Sequence, residues 1–260
     1  MRLCRFEKDG LTRYGSLIAG KLEGYLQPLA GSPFAELTPD GQPIERATVR
    51  LLAPMLPSKI VAVGRNYRAH AAEMGKPVPE EPLLFLKATT ALLPPEFTIR
   101  MPRESQRVDY EAELAVIIGK AARRVSKEDA LGHVLGYACF NDVTARDIQQ
   151  REVQFTRAKS FDTFAPFGPF IETEYDGRDV AVRCKVNGEL RQDGRTSDMV
   201  FDIPTLISYV SACMTLLPGD VIATGTPAGV GPLAPSDVVE VEIEGLGTLR
   251  NPVARDGDPA

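Results

Sequence analysis

Tyr110-Glu111-Ala112-Glu113-Leu114-Ala115-Val116-Ile117-Ile118-Gly119 reads as a β-strand: apolar and β-branched residues dominate, no proline interrupts them, and a glycine closes the run. Side chains on a strand alternate between its two faces. Tyr110, Ala112, Leu114, Val116 and Ile118 would then form one continuously apolar face, while Glu111 and Glu113 share the other with Ala115 and Ile117. Two like charges so placed repel, and burying them unpaired is costly. A hard divalent cation takes oxygen ligands and would neutralise both. The simpler alternative is an edge strand whose polar face is wet.

Downstream, the run from Gly136 to Asn141 reads as another strand that ends on Asp142 and feeds a helix over 143–152. A carboxylate at that junction suits a third oxygen ligand. It suits an ordinary helix N-cap equally well. Arg146 and Gln149 follow one and two turns later. Ser126 with Asp129 reads as a helix start, and the second histidine, His133, as structural. Arg157 to Asp162 is a polar loop carrying Lys159.

Upstream, Ile60 to Val63 is a short buried strand, followed by Gly64-Arg65-Asn66-Tyr67 and a helical stretch from Arg68 to Met74. His70 and Glu73 are three residues apart and share a helix face. A carboxylate beside an imidazole orients it and raises its basicity, which suits a general base. A surface ion pair of little consequence is the ordinary alternative. The proline-rich segment 75–82 is a candidate mobile lid. The strand from Leu83 ends on Lys87.

Toward the C-terminus, Asn187-Gly188 between extended residues signals a hairpin. Asp202 to Cys213, with Pro204 in its first turn, reads as an amphipathic helix. Gly225, Gly229 and Gly231 make a tight loop after the strand 221–224, without a Walker lysine or a G-x-G-x-x-G pattern, so a nucleotide site is not expected. Val239, Val241 and Ile243 alternate with Glu240, Glu242 and Glu244, a half-exposed strand with a solvated acidic face.

A chain of 260 residues holds one large domain, or a large one with a small companion. The sequence suggests a small N-terminal β domain over 1–55, a catalytic domain over 56–253 and a flexible tail over 254–260. Within 1–55, turns are expected at Lys8-Asp9-Gly10 and Ala19-Gly20, a loop over 28–43 and an extended run over 47–52. A net charge of −5 gives no nucleic-acid footprint. No apolar run approaches the roughly 18 residues that span a bilayer. The charged first ten residues do not resemble a signal peptide, and the four scattered cysteines suit buried thiols in a reducing cytoplasm.

In their order, these segments resemble the fumarylacetoacetate hydrolase family. The resemblance rests on Val63-Gly64-Arg65-Asn66-Tyr67 with His70 and Glu73, on Phe85-Leu86-Lys87, and on Glu111-x-Glu113. It continues through Asn141-Asp142-Val143-Thr144-Ala145-Arg146-Asp147, Ala158-Lys159-Ser160-Phe161, Val186-Asn187-Gly188-Glu189-Leu190 and Thr224-Gly225-Thr226-Pro227-x-Gly229-Val230-Gly231. No single motif is specific, but the ordered set, from Lys59 to Val253, is.

The resemblance implies an α+β fold, β-rich, with layered mixed sheets and few helices. It also implies a homodimer and one Mg²⁺ or Mn²⁺ per chain, held by Glu111, Glu113 and Asp142. By the same resemblance His70 and Glu73 form a catalytic dyad on a segment that orders with substrate, and Lys159 lies near the reacting centre. Arg65, Lys87, Arg146, Gln149 and Thr226 line the pocket or hold substrate oxygens. The larger fumarylacetoacetate-cleaving branch carries a further metal-binding aspartate with no secure match here, which argues against that substrate. The implied activity is hydrolysis of a C–C bond in an acylpyruvate-like 2,4-dioxo acid through an enolate that the metal stabilises. Decarboxylation of an oxaloacetate-type acid and isomerisation of a 2-hydroxyhepta-2,4-diene-1,7-dioate use the same site. The full set of site residues argues against a non-catalytic binding protein on this fold.

Overall fold

The apolar runs pair with one another into a mixed sheet of thirteen strands. The computed structural model describes residues 1–19 and 24–258. Along the sheet's main path, Leu37–Pro39, Tyr25–Gly31, Leu11–Leu17 and Arg2–Lys8 lead to Ala165–Glu172, Val134–Asn141 and Ala112–Ile118. Val221–Ala223, Ile60–Gly64 and Leu83–Lys87 complete it. The N-terminal meander thus hydrogen-bonds directly into the rest of the chain, where Arg2 pairs with Glu172 and Leu3 with Ile171. A five-stranded sheet runs Ile99–Met101, Gly247–Arg255, Val238–Ile243, Ala181–Val186, Glu189–Arg195. Leu114, Val116 and Phe140 of the large sheet share one hydrophobic core with Val182, Val241 and Leu249 of the smaller one. This is the layered, β-rich α+β arrangement expected; among the described residues the longest helix is Ile203–Cys213.

Local chemistry explains several elements. Asn187 and Gly188 both adopt positive φ, 54° and 81°, the conformation a two-residue hairpin turn requires. Asp202 caps the Ile203–Cys213 helix by accepting from Thr205 N, with proline in the first turn. Ser126 accepts from Asp129 N at the start of a short helix.

Other expectations need correction. The Tyr110–Gly119 run is not one strand: Val108–Tyr110 pairs with Thr144–Ala145 and Gly231–Pro232 in a small third sheet, and Ala112–Ile118 belongs to the large one. The break falls at Glu111. There the N–H of Glu111 donates to Asn141 Oδ1 (3.0 Å) and that of Ala112 to Gln192 Oε1 (2.9 Å), so side chains replace ladder partners. Ala112–Ile118 is buried on both faces rather than half wet. The helix expected over 143–152 spans only Arg146–Arg151, because Thr144–Ala145 is taken up in pairing.

The segment 28–43 contains strand residues to Gly31 and again at Leu37–Pro39, and Arg46–Thr48 is a 3-10 turn before the strand Arg50–Leu52. Ala254 and Arg255 are not tail: they continue a strand, held by parallel pairing to Arg100 and Met101. The turn at Ala19-Gly20 reaches into undescribed residues, and residues 259 and 260 lie outside the described residues. Cys4, Cys139 and Cys184 are buried free thiols, whereas Cys213 is exposed.

Asp220 fastens the start of the Val221–Ala223 strand to the start of the Ile60–Gly64 strand, with which it pairs. Fully buried, its carboxylate accepts from the backbone N–H groups of Leu217 (2.7 Å), Ser58 (3.0 Å) and Lys59 (3.1 Å), from Ser58 Oγ (2.6 Å) and from Lys59 Nζ. Asp220→Ala would leave these donors unpaired and is expected to destabilise the fold by about 3–5 kcal/mol. Urea unfolding checks this; a loss under about 1 kcal/mol would show that the network relaxes or hydrates freely.

Candidate active site and metal centre

The break at Glu111 and the end of the Val134–Asn141 strand bring three carboxylates together. Glu111, Glu113 and Asp142 each offer an oxygen within 4.8 Å of the others, and all three are buried. Asp142 does not cap the following helix, whose N-cap is Ala145. It accepts instead from Lys87 Nζ and from Lys159 Nζ (2.6 Å). Lys159 also reaches Glu111 Oε2 at 2.8 Å, and Arg146 Nη2 reaches Glu111 Oε1. Burial by itself would push the Glu111 carboxyl up, but Lys159 and Arg146 outweigh it and hold it well below the usual carboxylate range. Glu113 differs. Its Oε2 accepts one backbone N–H, from Gly225 at 2.8 Å, and it has no cationic partner among the described residues. Burial, then the charges of Asp142 and Glu111, push its carboxyl well above the usual range.

This donor set fits a hard divalent cation. It offers three oxygen ligands from two strand ends, and one of them, Glu113, makes no ion pair among the described residues. Glu111, Glu113 and Asp142 would hold the ion.

The buried lysines are poised by the same cluster. Burial lowers the Lys87 pKa against the pull of Asp142. For Lys159 burial is the largest influence as well, yet Asp142 and Glu111 together overcome it and raise the ammonium above its ordinary value. Its Nζ also lies 5.1 Å from the centre of the Phe85 ring.

The dyad sits on the Arg68–Glu73 helix. His70 Nδ1 is 3.2 Å from Glu73 Oε2; His70 is only 5% exposed, whereas Glu73 is exposed. Glu73 also accepts from Gly229 N, at 3.0 and 3.2 Å to its two oxygens. The glycine loop 225–231 therefore touches both parts of the site: Gly225 N holds Glu113, and Gly229 N holds Glu73. Thr226 Oγ1 donates to Ala112 O (2.8 Å) and accepts from Gln192 Nε2 (2.7 Å).

Gly229 has φ +100°, and a Cβ there would lie 2.2 Å from Arg191 O. Gly229→Ala is thus expected to shift the loop and lower turnover at least about tenfold, in keeping with the sensitivity of catalysis to misplacement of its groups by about 1 Å. Steady-state kinetics on folded protein checks this, and unchanged turnover would separate the loop from the dyad's positioning.

A cavity of about 490 Å³ joins these groups, lined by Arg65, His70, Glu111, Glu113, Asp142, Arg146, Gln149, Lys159 and Thr226 among others. Of the residues expected at the site, two are absent from that wall. Lys87 stands behind Asp142, and Glu73 lines an adjoining cavity of about 340 Å³ that shares Met74, Arg146 and Gln150. Two contributors were not anticipated. Asp109, fully buried, holds Arg146 Nε at 2.8 Å and Arg107 through two bonds. Its signal was present in the Asp-x-Glu-x-Glu alternation at 109, 111 and 113. Gln192, also fully buried, clamps Ala112 N, Thr226 Oγ1 and Pro227 O from the five-stranded sheet, and no local pattern announces it.

Residues 59–254 match the fumarylacetoacetate (FAA) hydrolase C-terminal family, and residues 1–54 match the Rv2993c-like N-terminal family. The chain is 44% identical over 223 residues to the mitochondrial oxaloacetate tautomerase fahd2 of Xenopus laevis, covering 81% of this chain and 70% of that protein. It superposes on the crystal structure of 2-hydroxyhepta-2,4-diene-1,7-dioate isomerase from Mycobacterium marinum with a TM-score of 0.91, at 44% identity over 99% of this chain and 100% of the other. Fumarylpyruvate hydrolase from Pseudomonas aeruginosa, solved in complex with Mn²⁺ and pyruvate, gives a TM-score of 0.73 at 33% identity, covering 78% and 91%. The chain is an enzyme that belongs to the fumarylacetoacetate hydrolase family.

Proposed function

We propose that this enzyme is a divalent-metal-dependent hydrolase that cleaves a C–C bond in an acylpyruvate-like 2,4-dioxo acid. The observation that carries the reading is the pairing, around one cavity, of a buried three-carboxylate cluster with a His–Glu dyad. Mg²⁺ or Mn²⁺ held by Glu111, Glu113 and Asp142 would supply Lewis acidity toward the oxygens of a 2-oxo acid. Lys159 and Arg146, in the cavity wall, present positive charge to oxygen that becomes anionic as the bond breaks. Thr226 contributes a hydroxyl beside them, and Gln149 is steadied by Arg146 Nη1 at 2.6 Å. Glu73 orients His70, whose imidazole takes a proton from the attacking water. The Gly229 N–H fixes the Glu73 carboxylate against rotation. A homodimer in the cytoplasm completes the reading.

A second reading has its own support. The relatives named as a tautomerase and an isomerase are each 44% identical, against 33% for the hydrolase. Proton transfer at a carbon beside the 2-oxo group needs the same dyad and the same cations, without the water. Decarboxylation of an oxaloacetate-type acid likewise dispenses with it.

Comparing acetylpyruvate with oxaloacetate separates these. Release of pyruvate and acetate from acetylpyruvate is the expected outcome. Faster keto–enol exchange of oxaloacetate with no cleavage of acetylpyruvate would replace hydrolysis by the second reading, and pyruvate formation from oxaloacetate alone would indicate a decarboxylase.

A further inference from the structure

Arg146 is fixed from several directions at once. Its backbone N–H donates to Arg107 O (2.8 Å). Its buried side chain gives Nε to Asp109 Oδ2 (2.8 Å), Nη1 to Gln149 Oε1 (2.6 Å) and Nη2 to Glu111 Oε1. Among the described residues three of its five N–H groups are thus engaged, and one on each Nη is left for a ligand. The guanidinium belongs to the wall of both cavities.

Of the three residues that hold it, Glu111 belongs to the carboxylate cluster and Gln149 lines the main cavity. Asp109 does neither; it lines only the adjoining cavity. It is the middle residue of Val108–Tyr110, the central strand of the small third sheet. There it pairs with Thr144, two residues before Arg146, and with Pro232, where the glycine loop ends. The backbone of Asp109 therefore places the root of Arg146, and its carboxylate places the guanidinium. From the solvent side the exposed Arg107 gives Nε to Oδ1 (2.8 Å) and Nη2 to Oδ2 (3.1 Å). Three charge-assisted hydrogen bonds leave this carboxylate little freedom to turn. Charge thus alternates along Arg107, Asp109, Arg146 and Glu111, from the surface to the cluster.

We propose that Asp109 is a positioning residue for turnover, acting through Arg146: it aims the two free N–H groups of that guanidinium at the substrate oxygen that gains negative charge. This rests on the reading that Arg146 meets that oxygen. Without its Nε partner the guanidinium keeps its charge but loses its direction, and a misplacement of about 1 Å can cost about 100-fold. A second effect follows from charge alone. Neutralising Asp109 makes the surroundings of the cluster more positive and leaves Glu111 as the sole carboxylate paired with Arg146 among the described residues, so a divalent cation binds more weakly.

Asp109→Asn, Arg146→Lys and the double variant form the test, on the whole chain with saturating Mn²⁺. Cleavage of acetylpyruvate and keto–enol exchange of oxaloacetate are both followed, since both readings of the site use the same cations. Asp109→Asn is expected to lower kcat at least about tenfold with KM within about threefold, and calorimetry is expected to show Mn²⁺ binding at least about threefold weaker. Arg146→Lys keeps the charge without the fork and is expected to lower kcat at least about tenfold. In that background Asp109→Asn should cost no more than about twofold further, because its effect passes through the group already lost. Arg107→Gln spares the Asp109–Arg146 bond, and kcat within about threefold of the parent is expected. An equal loss from Asp109→Asn in both backgrounds would make Asp109 a structural charge and overturn the proposal. So would an unchanged kcat in Asp109→Asn, or a loss in Arg107→Gln as large as that in Asp109→Asn. Full turnover in Arg146→Lys would overturn the proposal together with the reading of Arg146. Exchange of oxaloacetate without cleavage of acetylpyruvate would remove hydrolysis alone, and the same cycle on oxaloacetate then decides; turnover of neither acid by the parent would overturn both.

Discussion

Glu113→Gln is expected to weaken Mg²⁺ or Mn²⁺ binding by at least about 100-fold and to reduce turnover by about three orders of magnitude. Among the three clustered carboxylates, only Glu113 lacks a cationic partner among the described residues. Its charge is therefore the one that a metal ion alone would balance. An amide at this position keeps an oxygen for the Gly225 N–H and nearly the same shape, so the loop should hold. Removing the charge takes away part of what binds the cation, and Lewis-acid stabilisation is worth several kcal/mol, at about 1.4 kcal/mol per tenfold in rate. The metal-free variant should be no less stable than the metal-free parent, because burial already disfavours the charged carboxylate there. Calorimetric titration with Mn²⁺, thermal melts in EDTA and turnover with saturating metal check the three parts. Loss of activity with metal affinity unchanged would move Glu113 from the metal to the substrate.

His70→Ala has the opposite profile: metal affinity within about twofold of the parent, and hydrolysis slower by about two to four orders of magnitude, the usual contribution of a general base. His70 touches Glu73 and the cavity but makes no hydrogen bond to any of the three clustered carboxylates. Since the imidazole is buried, a stability control is needed, and Glu73→Gln provides a milder one. Its amide oxygen can still accept from Gly229 N, while the charge that supports the imidazole is gone. Both variants slow in step if the pair acts as a unit. Unchanged hydrolysis in His70→Ala would remove the dyad from the reaction.

How much of this was legible in the sequence follows from the range of each interaction. The Glu111-x-Glu113 alternation is a local property of an extended chain, and it holds even though the chain changes sheets at Glu111. The sheet change was invisible because its causes are remote: Asn141 lies thirty residues from Glu111, and Gln192 eighty from Ala112. His70 and Glu73 are three residues apart on one helix, so their contact could be read directly. Asp142 presented two equal readings, metal ligand or helix cap, and only tertiary pairing of Thr144–Ala145 removes the cap by delaying the helix. Asp109 belonged to the same alternation as the two glutamates, but a strand taken to begin at Tyr110 cut it off. Lys159, buried between Glu111 and Asp142, has no local signature and came only from the family resemblance.

The most direct measurement is pyruvate release from acetylpyruvate by protein stripped with EDTA and then titrated with Mg²⁺ or Mn²⁺. A metal-dependent hydrolase should release none when stripped and recover to saturation at one ion per chain, with Glu113→Gln recovering only about a thousandth of that rate. Full release in EDTA, or none with either ion present, would rule out metal-dependent hydrolysis.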